Sequence, residues 1–180
     1  NKPAGLVVDD PEAVAKWKQI AATKEQALAA REVQIHPGEL LATMADDQLQ
    51  VVMLDARSES DYNLFHISGA QRVDAEDLLT LANDFVATSS PNTVYVVMSN
   101  DEAAATDVWR VLSAKSVPNV YILEGGINYW ISIFGAEDPE VTPTPTAPGS
   151  DMLAYSFPAA LGDRYTASFP SSHEYEIEYT

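Results

Sequence analysis

Three short apolar runs, separated by helical patterns, constrain the fold more than any other feature of this sequence. The runs are Val-Val-Met-Leu at 51–54, Thr-Val-Tyr-Val-Val-Met at 93–98 and Val-Tyr-Ile-Leu at 120–123. A continuous apolar run of this length is typical of a parallel strand that is covered on both faces. Helical patterns at 75–87 and 102–115 lie between the runs. The alternation predicts an α/β layered domain with a central, mainly parallel sheet flanked by helices.

The chain divides into four segments by pattern. Residues 1–32 form an N-terminal helical extension, because Asp10 is a good N-cap and Pro11 suits the first helical position. We expect Trp17 to pack this helix onto its own domain; docking on a partner is the alternative. The α/β domain covers residues 33–135. A Pro/Thr-rich linker at 136–149 is expected to be extended, with polyproline character.

The last segment, residues 150–180, is an acidic extension rich in aromatic residues. It contains three strand-like pieces, at 154–157, 165–169 and 174–179. Its aromatic content is too high for a passive tail, so we expect β-like structure that packs on the α/β domain or on a second copy of the chain.

Charge and cysteine content exclude several functions. With 10 basic and 27 acidic residues, the net charge is −17, which excludes a broad positive surface for nucleic acid or anionic lipid. There is no cysteine, hence no disulfide, thiolate metal site or cysteine nucleophile. No apolar run approaches the roughly 20 residues that span a bilayer. No histidine pair has metal-ligand spacing, so neither a metal nor a cofactor is expected; calcium on an acidic cluster is the alternative, without an EF-hand loop.

Three motifs in the middle segment carry a resemblance to a known family. Asp55-Ala56-Arg57 follows the first apolar run, and His66-Ile67-Ser68-Gly69-Ala70 follows it at a short distance. The third run leads into Glu124-Gly125-Gly126-Ile127, with Trp130 four residues after the second glycine. In this order and spacing, the motifs resemble those of rhodanese-like domains. The resemblance covers residues 33–135 and neither end of the chain.

Active members of that family are sulfurtransferases, in which a cysteine after the second of these strands carries sulfur as a persulfide. The resemblance puts Ser99 at the cysteine position. A serine hydroxyl cannot carry a persulfide, and it is far less acidic than a thiol. We therefore expect no thiosulfate sulfurtransferase activity, and a binding or regulatory role instead. The remnant active-site loop consists of Ser99, Asn100, Asp101, Glu102, Ala103 and Ala104.

The loop sequence also predicts its own conformation. Ser99 and Glu102 have the spacing of a capping box, in which each side chain accepts a hydrogen bond from the other residue's backbone. Helix is expected to start within a residue or two of Asp101, because three alanines follow at 103–105. Asp101 and Glu102 would lie where a substrate anion binds in the family. In the family, backbone N–H groups of this loop face the substrate anion, and we call them the anion cradle. Here the cradle should be collapsed or internally neutralised, so that thiosulfate, sulfate and phosphate bind poorly.

The remaining motif residues have structural roles in this interpretation. Asp55 and Arg57 are expected to pair with each other or with backbone and so fix their loop. His66 is expected to order its turn, and Gly125 and Gly126 to supply backbone angles with positive φ.

Alternative functions stay open at this point. An enzyme could use the same cleft for acid-assisted hydrolysis through Asp101 and Glu102, or the chain could be a structural subunit that assembles through its C-terminal extension. A protein partner or self-association is expected, and anionic small molecules are disfavoured. Five acids against one arginine after Gly149 favour a cationic partner. Because the chain starts at Asn1, we expect an exported, periplasmic protein of bacterial origin; a cytoplasmic location is the alternative.

Overall fold

The computed structural model describes residues 11–135 and 141–157, except for the side chains of residues 11–14, 16 and 17. The chain separates into two compact units, residues 1–33 and residues 34–180. The first unit contains helix α1, Pro11–Ala29, which starts at the proline that the sequence favoured. The predicted packing of Trp17 lies outside the described side chains.

The second unit is an α/β fold with a central parallel sheet of five strands in the order β1-β5-β4-β2-β3. All four neighbouring pairs are parallel. The strands are β1 Gln34–Ile35, β2 Gln50–Asp55, β3 Gln71–Arg72, β4 Thr93–Met98 and β5 Val120–Leu123. The three apolar runs are therefore β2, β4 and β5, as predicted. Strand β4 lies at the centre of the sheet, and five of its six residues are buried.

Helices flank this sheet. They are α2 Pro37–Met44, α3 Glu59–Leu64, α4 Leu78–Thr88, α5 Ala103–Ala114 and α6 Gly126–Phe134. A turn of 3-10 helix, Ala75–Asp77, precedes α4 and accounts for the start of the helical pattern at 75. Helices α3 and α6 and strand β3 are among the elements that were not predicted. Helix α3 has six residues, none of them buried, so it lacks an apolar stripe.

The main core lies between the sheet and the helices on one of its faces. Trp130 and Ile127 of α6 pack there with Val96 and Met98 of β4, and all four are fully buried. No helix among residues 11–135 and 141–157 is long and apolar enough to cross a membrane.

The segment after α6 differs in part from the prediction. Thr142–Pro143, expected in an unpaired linker, form strand β6, which pairs antiparallel with β7, Tyr155–Ser156. The reversal between them has Pro148 and Gly149, the residues that a type II turn favours at its centre, and the Ser150 N–H donates to the Ala147 carbonyl. The strand-like piece at 154–157 is thus confirmed, whereas those at 165–169 and 174–179 lie outside the described residues.

This hairpin packs on the α/β fold of the second unit, to which it belongs. Phe157 contacts Phe65 with ring centroids 5.8 Å apart, and Leu153 and Tyr155 lie half-buried against the main core. Packing brings the chain between β6 and β7 to the edge of the sheet where β4 ends.

Candidate functional site

The candidate site lies at the carboxyl ends of β2, β4 and β5. In a parallel sheet, the loops that leave these ends meet at one edge, which is where ligands bind in open α/β folds. The structure brings together Asp55, Ser99 and Gly125 in this way, from three separate motifs of the sequence.

Asp55 and Arg57 form a buried two-bond ion pair that fixes the loop after β2. Arg57 Nε donates to Asp55 Oδ1 at 2.9 Å, and Nη2 donates to Oδ2 at 2.8 Å. The guanidinium also donates to the Phe65 carbonyl and, at 3.3 Å, to Asn100 Oδ1. The predicted pairing is confirmed. All of these bonds come from the Arg57 guanidinium, which therefore supports the structure of the loops at the site.

Ser99 is buried, with 1% of its surface exposed, directly after β4. Its hydroxyl accepts a hydrogen bond from the Ala105 N–H at 3.2 Å and donates to the Asp101 carbonyl at 3.3 Å. Helix α5 begins at Ala103, two residues after Asp101, as predicted.

The predicted capping box is wrong. The Glu102 carboxylate accepts from the Gly125 N–H at 2.8 Å instead of from the N–H of Ser99. The reason is tertiary: the turn after β5 presents an unpaired N–H to this side chain, and a rule based on local spacing cannot include a donor that is 23 residues away.

A residue that the sequence did not single out, Asp151, occupies the anion cradle. Its Oδ1 accepts from the Asp101 N–H at 2.5 Å, and its Oδ2 accepts from the Ala104 N–H at 2.8 Å. Ala104 belongs to the first turn of α5, and Asp101 lies in the loop just before it, so both N–H groups are at the helix N-terminus, where free donors and the helix dipole favour negative charge. The cradle therefore contains convergent N–H groups around an anion, and that anion comes from the same chain. The prediction of internal neutralisation named the wrong carboxylates.

Hydrogen bonds also hold the backbone around Asp151. We call residues 151–154 the strap. Asn100 Nδ2 donates to the Asp151 carbonyl at 3.1 Å, and the Asp151 N–H donates to Asp101 Oδ2 at 3.2 Å. Asn128 of α6 donates through Nδ2 to the Met152 carbonyl at 2.9 Å and accepts through Oδ1 from the Ala154 N–H at 2.7 Å.

Asp101 and Glu102 do not point at the cradle donors, contrary to expectation. The Asp101 carboxylate accepts from Asn128 Nδ2 at 3.1 Å as well as from the strap. Each carboxylate of the loop thus has a donor within the protein.

Gly126 sets the spacing between the loop and α6. Its φ is +66°, and a Cβ on it would come within 2.5 Å of the carbonyl oxygens of residues 99, 100 and 101. This close approach lets the Ile127 N–H donate to the Ser99 carbonyl at 2.8 Å and the Asn128 N–H donate to the Asn100 carbonyl at 3.0 Å. Gly125, with φ of +68°, precedes it, so both glycines have the predicted positive φ.

His66 lies beside the site in the turn before β3. Its ring stacks on Tyr62 with centroids 3.7 Å apart, and its Nδ1 lies 2.9 Å from the Tyr62 carbonyl. Since a carbonyl only accepts, Nδ1 carries the proton. Burial lowers the pKa of His66, which favours the neutral ring. These contacts fit a role in ordering the turn.

Comparison with known proteins shows which family this chain is similar to. Residues 36–133 match the rhodanese-like domain family. Over 92 residues, the chain is 28% identical to the thiosulfate sulfurtransferase GlpE of Pseudomonas fluorescens, which corresponds to 51% of this chain and 81% of that protein. A rhodanese-like domain protein from Staphylococcus aureus is similar in structure, at 20% identity and a TM-score of 0.45, over 54% of this chain and 89% of that chain. The rhodanese-like domain of Anabaena Alr3790 has 19% identity and a TM-score of 0.47, over 64% and 90% of the two chains.

The fold, a central parallel sheet of five strands flanked by helices, is that of rhodanese-like domains. The family match covers more than half of the chain, and the chain belongs to the rhodanese-like domain family. It is a member whose 180 residues include no cysteine.

Proposed function

We propose that this protein is a rhodanese-like domain without thiosulfate sulfurtransferase activity, which acts as a binding module. The observation that carries the proposal is that the Asp151 carboxylate accepts hydrogen bonds from the N–H groups of Asp101 and Ala104. The resemblance to the family, which puts Ser99 at the position of the sulfur-carrying cysteine, supports it. A thiosulfate anion would have to displace a carboxylate and would then meet a hydroxyl that cannot take up its sulfur.

A hydrolase that uses Asp101 and Glu102 has less support. Both carboxylates accept hydrogen bonds from Asn128 or from the Gly125 backbone. A general acid or base needs access to a substrate proton, and these contacts hold the two groups inside the loop structure.

A cyanide–thiosulfate assay tests the proposal. We expect thiocyanate formation at the rate of a protein-free blank, at protein concentrations far above those at which the Pseudomonas GlpE, run in parallel, gives full turnover. Turnover that rises in proportion to the concentration of this protein would overturn the proposal.

A further inference from the structure

The strap is bound to the site as a peptide is bound to a receptor. The site consists of the N–H groups of Asp101 and Ala104, the Asn100 and Asn128 side chains and the Asp101 carboxylate. It contacts the strap through both oxygens of one carboxylate and through backbone groups at three of the four strap positions, namely Asp151, Met152 and Ala154.

These contacts separate into a specific and a general part. The paired N–H groups of Asp101 and Ala104 recognise a carboxylate on a short side chain. Asn128 recognises only backbone, because its amide pairs with the Met152 carbonyl and the Ala154 N–H. A peptide with the backbone conformation of the strap can supply those two groups whatever its side chains, in the way that main-chain hydrogen bonds give affinity in other peptide-binding domains.

Side-chain burial along the strap completes the recognition pattern. Met152 is 61% exposed, so its position accepts many side chains. Leu153 lies half-buried against the main core, so its position favours an apolar residue. The site therefore fits a three-residue sequence, in which an aspartate is followed by any residue and then by an apolar residue.

The backbone of Asp151 has a left-handed conformation, and the site forms hydrogen bonds with both its N–H and its carbonyl. Its φ is +53°, in a region that few non-glycine residues adopt. Such a conformation persists when the surrounding contacts over-determine it.

On the basis of the proposed binding function, we infer that this site binds an aspartyl segment, Asp-x-apolar, of a partner protein, and that the strap is its resident intramolecular ligand. A partner segment must displace the strap, which is tethered at a high effective concentration. The site is thus self-occupied, and competition with the strap sets the affinity for the partner.

Fluorescence anisotropy with a labelled peptide of residues 147–157, Ala-Pro-Gly-Ser-Asp-Met-Leu-Ala-Tyr-Ser-Phe, tests the inference on the full chain. Asp151→Ala removes the resident carboxylate, and we expect it to bind the peptide at least tenfold more tightly than the wild type does. Asp47→Ala, at an exposed aspartate outside the site, is the matched control and should bind as the wild type does. A peptide with asparagine in place of its aspartate should bind Asp151→Ala at least tenfold more weakly.

Hydrogen exchange supplies a second readout that is independent of affinity. The amides of Asp101 and Ala104 should exchange faster in Asp151→Ala, and added peptide should slow them again. Asp151→Asn, which keeps the side-chain shape, serves in the same role where Asp151→Ala does not fold. Absence of saturable binding to the folded variant, or equal binding of the asparagine peptide, overturns the inference. The cyanide–thiosulfate assay on the same samples decides the proposed function separately, since sulfur transfer does not depend on the peptide result.

Discussion

The close approach of α6 to the loop after β4 requires that residue 126 has no Cβ. Gly126→Ala should destabilise the fold by about 3 kcal/mol or more, because the new Cβ overlaps three backbone carbonyls at a positive φ. Gly149→Ala is the matched control: its φ is +77°, but open space surrounds it, so the expected loss is about 1 kcal/mol. Urea unfolding of both variants measures the difference. Equal losses would contradict the close approach of α6 to the loop.

His66 gives the domain a predictable pH dependence. Burial holds its folded pKa below the ordinary value of 6.5, so the unfolded chain takes up a proton first as the pH falls. Proton uptake by the unfolded state lowers stability, so the His66 contribution is fully present above pH 6.5 and decreases below it. Unfolding free energies of wild type and His66→Gln between pH 7.5 and about 5 should therefore converge as the pH falls. A constant difference across this range would show that His66 has the same pKa in both states.

At the scale of elements, sequence patterns predicted the three buried strands and missed helices α3 and α6 and strand β3. The runs that became β2, β4 and β5 are apolar because both faces of the sheet are covered, so burial is visible in their composition. Helix α3 and strand β3 have no buried residue, and therefore no pattern.

The candidate site was likewise predicted only in part. Asp55, Arg57 and Ser99 follow predicted strands, and topology brings them to one edge of the sheet. Asp151 is one of 27 acidic residues, and it reaches the cradle through a turn and a two-residue strand pair that local patterns do not determine. Contacts between residues so distant in sequence depend on tertiary packing, which also explains why Glu102 bonds to Gly125 and not to Ser99.

Apolar packing near its end adds to the hydrogen bonds that hold the β6–β7 hairpin to the domain. Phe157→Ala removes a half-buried ring from Phe65 and should reduce the free energy of unfolding by about 1–2 kcal/mol, less than for a fully buried phenylalanine. Met152→Ala, at a largely exposed position of the same hairpin, should change it by no more than about 0.5 kcal/mol. Thermal melts of the two variants and the wild type provide the measurement; an unchanged melt for Phe157→Ala would mean that the hairpin contributes nothing to global stability.

For the whole molecule, the decisive question is whether one substitution can restore the chemistry of the family, and we predict that it cannot. Ser99→Cys supplies the missing thiol, but the Asp151 carboxylate still takes the N–H groups that would hold a thiosulfate anion. An anion about 4 Å from this carboxylate would be repelled by about 1–4 kcal/mol. The Ser99→Cys variant should therefore show no more thiocyanate formation than Ser99→Ala, which lacks any nucleophile at this position. Turnover by Ser99→Cys above that control would mean that thiosulfate displaces the strap unaided, and that the missing thiol alone separates this domain from an active sulfurtransferase.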